Sequence, residues 1–171
     1  MVRKTFAVLV ISVVWALLGG CTLAEQHESE DANLALMKKF YEEVVNKGNM
    51  DFIDESFAED FVEHEEFPGL EPGRQGVKQF FQMFRAAFPD LNFNVEFAFA
   101  KDDKVVAYIT ITGTQNGEFM GMPASGKTIN LKAIDIVRFA AGKGAEHWGV
   151  TDSGAMMEQL GMIPAGGTTK K

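Results

Sequence analysis

The sequence predicts an α+β domain: a curved antiparallel sheet, shaped like a cone, packed on three N-terminal helices and closed by a short C-terminal helix. Three observations predict it. Apolar residues recur at three- and four-residue spacing through the first half of the chain. The period changes to alternation at Leu91, and a short apolar helical pattern returns after Asp152.

The first helix fits residues 33–47. Met37, Phe40, Tyr41, Val44 and Val45 form one stripe, Asp31 or Asn33 stands near the N-cap, and Gly48 is the stop. A shorter helix fits 51–59, with Ile53 and Phe57 on one face. The third carries Val77, Phe80, Phe81, Phe84 and Phe88 and ends at Pro89-Asp90. Leu91, Phe93, Val95, Phe97 and Phe99 then alternate with Asn92, Asn94, Glu96 and Ala98, which predicts a strand with one buried face. Residues 101–104 make a polar turn, 105–113 a β-branched second strand and 114–126 a long loop. Strands over 128–139 and 145–151 follow, and 153–160 is the closing helix. A sheet curved against helices opens at one end, and such an opening suits a small-molecule pocket.

The N-terminus reads as a targeting signal. Arg3 and Lys4 precede an uncharged, mostly apolar run from Thr5 to Leu18, which leads to Gly19-Gly20-Cys21. The run is shorter than the ~20 residues of a membrane span. Leu18-Gly19-Gly20-Cys21 resembles a bacterial lipobox, in which the Cys is acylated and becomes the first residue. The plainer alternative is a signal peptide with an incidental Cys. The lipobox reading is preferred because Cys21 is the only Cys in the chain and stands at the cleavage point. Thr22, not Asp, follows it, which favours the periplasmic face of the outer membrane. Residues 1–20 are then signal, 21–31 a polar tether, 32–163 the domain and 164–171 a disordered tail.

A single Cys excludes a disulfide within the chain and a thiol nucleophile in the domain. The whole chain carries a net charge of −8. Loss of Arg3 and Lys4 leaves 14 Lys and Arg against 24 Asp and Glu, a net −10. Such a domain repels nucleic acid and anionic headgroups, so a lipid anchor, not surface charge, would hold it at a membrane. The glycine-rich segments match no phosphate loop or dinucleotide fingerprint, and no cofactor is called for.

Chemistry-bearing residues gather in Glu146-His147-Trp148-Gly149-Val150-Thr151-Asp152, at a strand end before the last helix. Asp152 has two readings. It lies beside the apolar Trp148, Val150, Met156 and Met157, surroundings that raise a carboxylate's pKa toward that of a general acid or base. It also stands where an Asp caps a helix. His147 is five residues away, so in a regular strand it faces the opposite side from Asp152 and Trp148. A bulge at Gly149 would bring it round. His64, in Glu63-His64-Glu65-Glu66, reads as part of a polar loop or as a donor at the cavity rim. No second His stands at metal-ligand spacing. Asp135 shares strand parity with Leu131, Ala133, Val137 and Phe139 and needs a partner there, such as Arg85 or Arg74. Tyr41 and Tyr108 are candidate hydroxyl donors.

The chain resembles the SnoaL-like polyketide cyclases, also called ester cyclases, over 34–162. The resemblance is carried by Asn46-Lys47-Gly48-Asn49, Phe61-Val62-Glu63-His64, Pro72-Gly73-Arg74, Ala87-Phe88-Pro89-Asp90, Gly113-Thr114, Gly117-Glu118-Phe119-Met120-Gly121, Glu146-His147-Trp148 and Gln159-Leu160-Gly161. It implies the cone fold of nuclear-transport-factor-like proteins, a homodimer, and a cofactor-free aldol closure of a small apolar carbonyl compound. It puts the acid/base carboxylate on Asp152; His147 and His64, from the residues themselves, are the further catalytic candidates. Trp148, Tyr108, Gln115, Asp135 and Phe119 are the expected substrate contacts. Many members carry His and Arg where this chain has Gln115 and Tyr108. The competing reading is a non-catalytic apolar-ligand-binding or structural lipoprotein of the same fold.

Overall fold

A computed structural model describes residues 23–65, 67 and 69–164. The expected signal, Cys21 and the tail from 165 onward lie outside the described residues.

Helix α1 (Leu23–Phe40) continues into a π-helical turn, Tyr41–Asn46, in which the Lys47 amide donates to the carbonyl of Glu42, five residues back. Tyr41, Val44 and Val45 are all buried in that turn. Gly48, at φ +79°, ends it in the left-handed conformation. Helix α2 is short (Phe52–Ser56) and runs straight into strand β1 (Phe57–Glu63). Helix α3 (Gly73–Ala87) lays Val77, Phe81 and Phe84 on the core. Strands β2 (Asn92–Lys101), β3 (Lys104–Thr114), β4 (Thr128–Ala140) and β5 (Lys143–Thr151) follow, then helix α4 (Ser153–Leu160).

The five strands form one sheet in the order β1-β5-β4-β3-β2. All neighbours are antiparallel except β1, which runs parallel to β5 and pairs Val62 with Glu146 and Glu63 with His147. Register shifts in β1, in β2 at Glu96 and in β5 at Ala145 mark bulges, which bend and twist a sheet. The inner face carries Val105, Ala107, Ile109 and Ile111 of β3 and Leu131, Ala133, Val137 and Phe139 of β4. All are buried with Phe40, Phe57, Phe61, Phe81, Phe84 and Phe88 in one core.

Three expectations change here. The residues read as a polar tether, from Leu23 to Asp31, are the first turns of α1. The Glu30 carboxylate accepts from the Asp102 amide at 2.8 Å and the Lys101 ammonium at 3.3 Å, and Gln26 donates to Asp102 at 2.7 Å. These bonds dock the segment on the β2–β3 turn. The sheet is mixed and five-stranded because 57–63, read as helix end and loop, is an edge strand. In β2, the shift between Val95 and Phe97 reverses the parity. Phe93 stays buried, while Phe97 and Phe99 are 57% and 53% exposed on the outer face.

Helix α4 is fastened through its last turn. The Gln159 side chain accepts from the Asn130 amide at 2.6 Å and donates to its carbonyl at 3.1 Å, as a neighbouring strand would. Leu160 is buried and Gly161 closes the helix at φ +73°.

Candidate active site

The sequence-predicted residues fall into three places. His147 and Asp135 lie on the inner face. Trp148, Tyr108 and His64 lie on the outer face, and Asp152 follows that parity at the end of β5. Gln115 and Phe119 belong to the 115–127 loop.

The inner face holds a polar cluster in an otherwise apolar wall. Tyr41 donates its hydroxyl to Asp135 Oδ2 at 2.8 Å. His147 Nε2 stands 3.6 Å from Asp135 Oδ1, and Nδ1 is 2.8 and 2.9 Å from the two oxygens of Glu63. The side chains of His147 and Asp135 are 18% and 15% exposed, so the cluster is nearly enclosed. Burial alone would push the His147 pKa down. The contacts with Asp135 and Glu63 outweigh it and raise the pKa to about 10. His147 is therefore an imidazolium at neutral pH. Burial first, then the Asp135 charge, hold Tyr41 well above the usual phenol range, so it stays a neutral donor. Among the described residues no group of three His, Cys, Asp or Glu is placed to hold a metal ion.

Glu65 completes this face. It is half-buried, and its amide donates to Glu63 Oε1 at 2.9 Å. Burial, with the nearby Glu63 and Asp135 charges, raises its carboxyl pKa, and His147 acts the other way. Neither Arg85 nor Arg74 reaches Asp135. Arg85 donates to the carbonyls of Val45 and Asn46, and Arg74 serves Asp54 and its carbonyl.

Gly149 carries no bulge: Asp135 pairs with it in regular register. The parity argument holds, but the two faces exchange. The face of His147 is the interior, and the apolar Trp148 and Val150 look outward. On that outer face the His64 and Trp148 rings stack 4.5 Å apart at 5°. His64 Nε2 lies 3.0 Å from Glu146 Oε2, while Arg138 Nε donates to Oε1 at 2.7 Å. The His64 contact, then Arg138, hold the Glu146 carboxyl below the usual range. Tyr108 is tilted against Phe97 on the same face.

Asp152 is a helix cap. It is exposed, and its carboxylate accepts from the Ala155 amide at 2.9 Å. The acid/base role expected of it requires the opposite direction. Gln115 is fully buried and spends its side chain on the loop, donating to the Pro123 carbonyl at 3.2 Å and accepting from Ser125 at 2.6 Å. Phe119 is buried against Phe84 and Phe88. Both residues are packed into the wall of the fold. Sequence reasoning misses Glu63 and Glu65 because their place follows from the parallel β1–β5 pairing, which the short acidic strand does not announce.

The fold and this inner-face cluster define an α+β cone with a charged interior. The SnoaL-like polyketide cyclase family model matches residues 35–160, and the chain belongs to that family. Solved structures agree. TsrD from Streptomyces laurentii superposes with a TM-score of 0.71 at 27% identity, covering 78% of this chain and 97% of that one. AclR from Streptomyces galilaeus, a proposed hydroxylase, gives 0.71 at 28%, covering 79% and 84%. A proposed polyketide cyclase from Bacillus cereus gives 0.68 at 30%, covering 77% and 82%. A search of curated proteins finds no match.

Proposed function

We propose that this protein is a cofactor-free acid/base catalyst of aldol type, acting on a small apolar carbonyl compound through the inner-face cluster. The observation that carries the reading is the division of labour at His147. Its Nδ1 is committed to Glu63. Its Nε2 makes only a long, 3.6 Å ion-pair contact with Asp135, so its proton can turn to a carbonyl oxygen. An imidazolium in a nearly enclosed site stabilises an enolate strongly, because little water screens it. The carboxylates on the same face supply the base. A methylene between two carbonyls is already acidic, so a positioned carboxylate suffices to remove its proton.

The competing reading is a non-catalytic ligand-binding or structural protein. It is favoured by the interior itself, where Phe40, Phe57, Phe61 and Phe81 fill much of the space beneath the sheet. Deuterium exchange separates the two. The folded domain, incubated in D2O with benzoylacetone (a small apolar 1,3-diketone), is expected to exchange the diketone's methylene protons faster than buffer does. Asp152→Asn is expected to leave that rate unchanged. Exchange at the buffer rate would favour the binding protein, and loss of exchange in Asp152→Asn would return the chemistry to that residue.

The lipid anchor belongs to the same proposal and rests on Leu18-Gly19-Gly20-Cys21. The mature protein from bacterial membranes is expected to begin at an acylated Cys21. An unmodified N-terminus at that residue would refute the anchor.

A further inference from the structure

Gly149 lies in the middle of a regular pairing, opposite Asp135, and does not adopt a positive φ. No backbone conformation demands glycine there. Space does. A Cβ on residue 149 would stand 2.5 Å from Glu65 Oε2, 3.0 Å from His147 Cε1 and 3.4 Å from His147 Nε2. The Glu65 carboxylate therefore occupies the room that a side chain from this inner-face strand position would take. It comes from another element, the residues just after β1, and reaches over the strand that carries His147.

Three features suit this carboxylate to proton transfer. Among the described residues, no donor is hydrogen-bonded to its oxygens, whereas Glu63 holds His147 and Asp135 accepts from Tyr41. It flanks the same point in space as His147 Nε2, the donor available to an enolate oxygen. Its half-buried position beside two other carboxylates favours the protonated form more than water would.

We propose that Glu65 is the proton-transferring group of this site and that Gly149 is the positioning residue that admits it. The inference rests on the acid/base reading above and names its base. The Glu65 carboxylate takes a proton from the methylene between two carbonyls, and the C–H electron pair becomes the enolate, held at oxygen by His147 Nε2–H. The enolate carbon then attacks a second carbonyl carbon of the same molecule. A C–C bond forms, the carbonyl π pair moves to its oxygen, and that oxygen takes the proton back from Glu65. The group ends as it began, and no oxidant, reductant or metal enters the balance.

The test uses the same benzoylacetone exchange on three variants. Glu65→Gln is expected to lose about 10²-fold or more of the exchange rate, the range of a positioned acid or base. Glu65→Ala is expected to lose as much and to regain part of it with added formate, which a merely structural role would not do. Gly149→Ala pushes the flexible end of Glu65 aside. Its turnover is expected to fall more than its KM changes, and the acid limb of its pH–rate profile to move toward an ordinary carboxylate. If the wild type exchanges and Glu65→Gln stays within tenfold of it, Glu65 is not the base and the acid/base reading survives without it. If the wild type itself gives only the buffer rate, both fall.

Discussion

His147 makes part of the stability of this fold depend on pH, and the sign follows from its partners. Contacts with Asp135 and Glu63 overcome burial and keep the imidazole protonated up to about pH 10 in the folded chain, against 6.5 for the free side chain. Between those values the folded chain holds more protons than the unfolded one. The stability His147 contributes is therefore complete below pH 6.5 and is lost as pH rises through 10. Each pKa unit corresponds to about 1.4 kcal/mol. His147→Gln is expected to unfold more easily than the wild type at pH 6, with the gap narrowing toward pH 10, as read from urea midpoints across that range. A gap independent of pH would mean that the imidazolium is not held this way.

At the level of elements, the helices are the most legible part, because an apolar stripe at three- and four-residue spacing fits no strand, whose side chains repeat every two residues. The third predicted helix and α3 share Val77, Phe81 and Phe84 as buried residues, and the closing helix runs over 153–160 in both. Strands are legible as strands but not as faces. A sheet has two sides, and apolar alternation marks the core only when the outer side is polar. Here Phe97, Phe99, Trp148 and Val150 make the outer side apolar as well, so the sequence points to the wrong face in β5 and, beyond the bulge, in β2. Asp135 and His147 are readable as chemistry-bearing residues; their partners are not. Glu63 and Glu65 meet them only through β1, whose Ala58-Glu59-Asp60 stretch lacks the apolar alternation of a buried strand because it lies at the sheet edge. In the sequence Gly149 reads as a bulge signal, since sequence alone cannot show that a glycine is making room for a side chain 84 positions away in the chain.

The outer sheet face bears on the whole molecule. Val150 is 72% exposed and Ile134 44%, and with Phe97, Phe99, Tyr108 and Trp148 they cover adjoining strands. Contiguous apolar patches of several hundred Å² are uncommon on monomers and mark contact surfaces. The chain is acidic as a whole, at −8, which opposes self-association. This face escapes that repulsion, because Lys132 is paired with Glu96 at 3.1 Å and Arg138 with Glu146. A locally neutral, aromatic surface on an acidic protein suits a second copy of itself better than a charged partner. The homodimer implied by the family resemblance is therefore proposed to form through this face. Val150→Glu places two like charges in such an interface while changing a side chain that is exposed in the single chain, so the fold should be retained. Sedimentation at tens of micromolar is expected to give a dimer for the wild type and a monomer for Val150→Glu, with matching circular dichroism. A monomeric wild type would leave the patch to another partner, and a Val150→Glu dimer would move the interface elsewhere on the molecule.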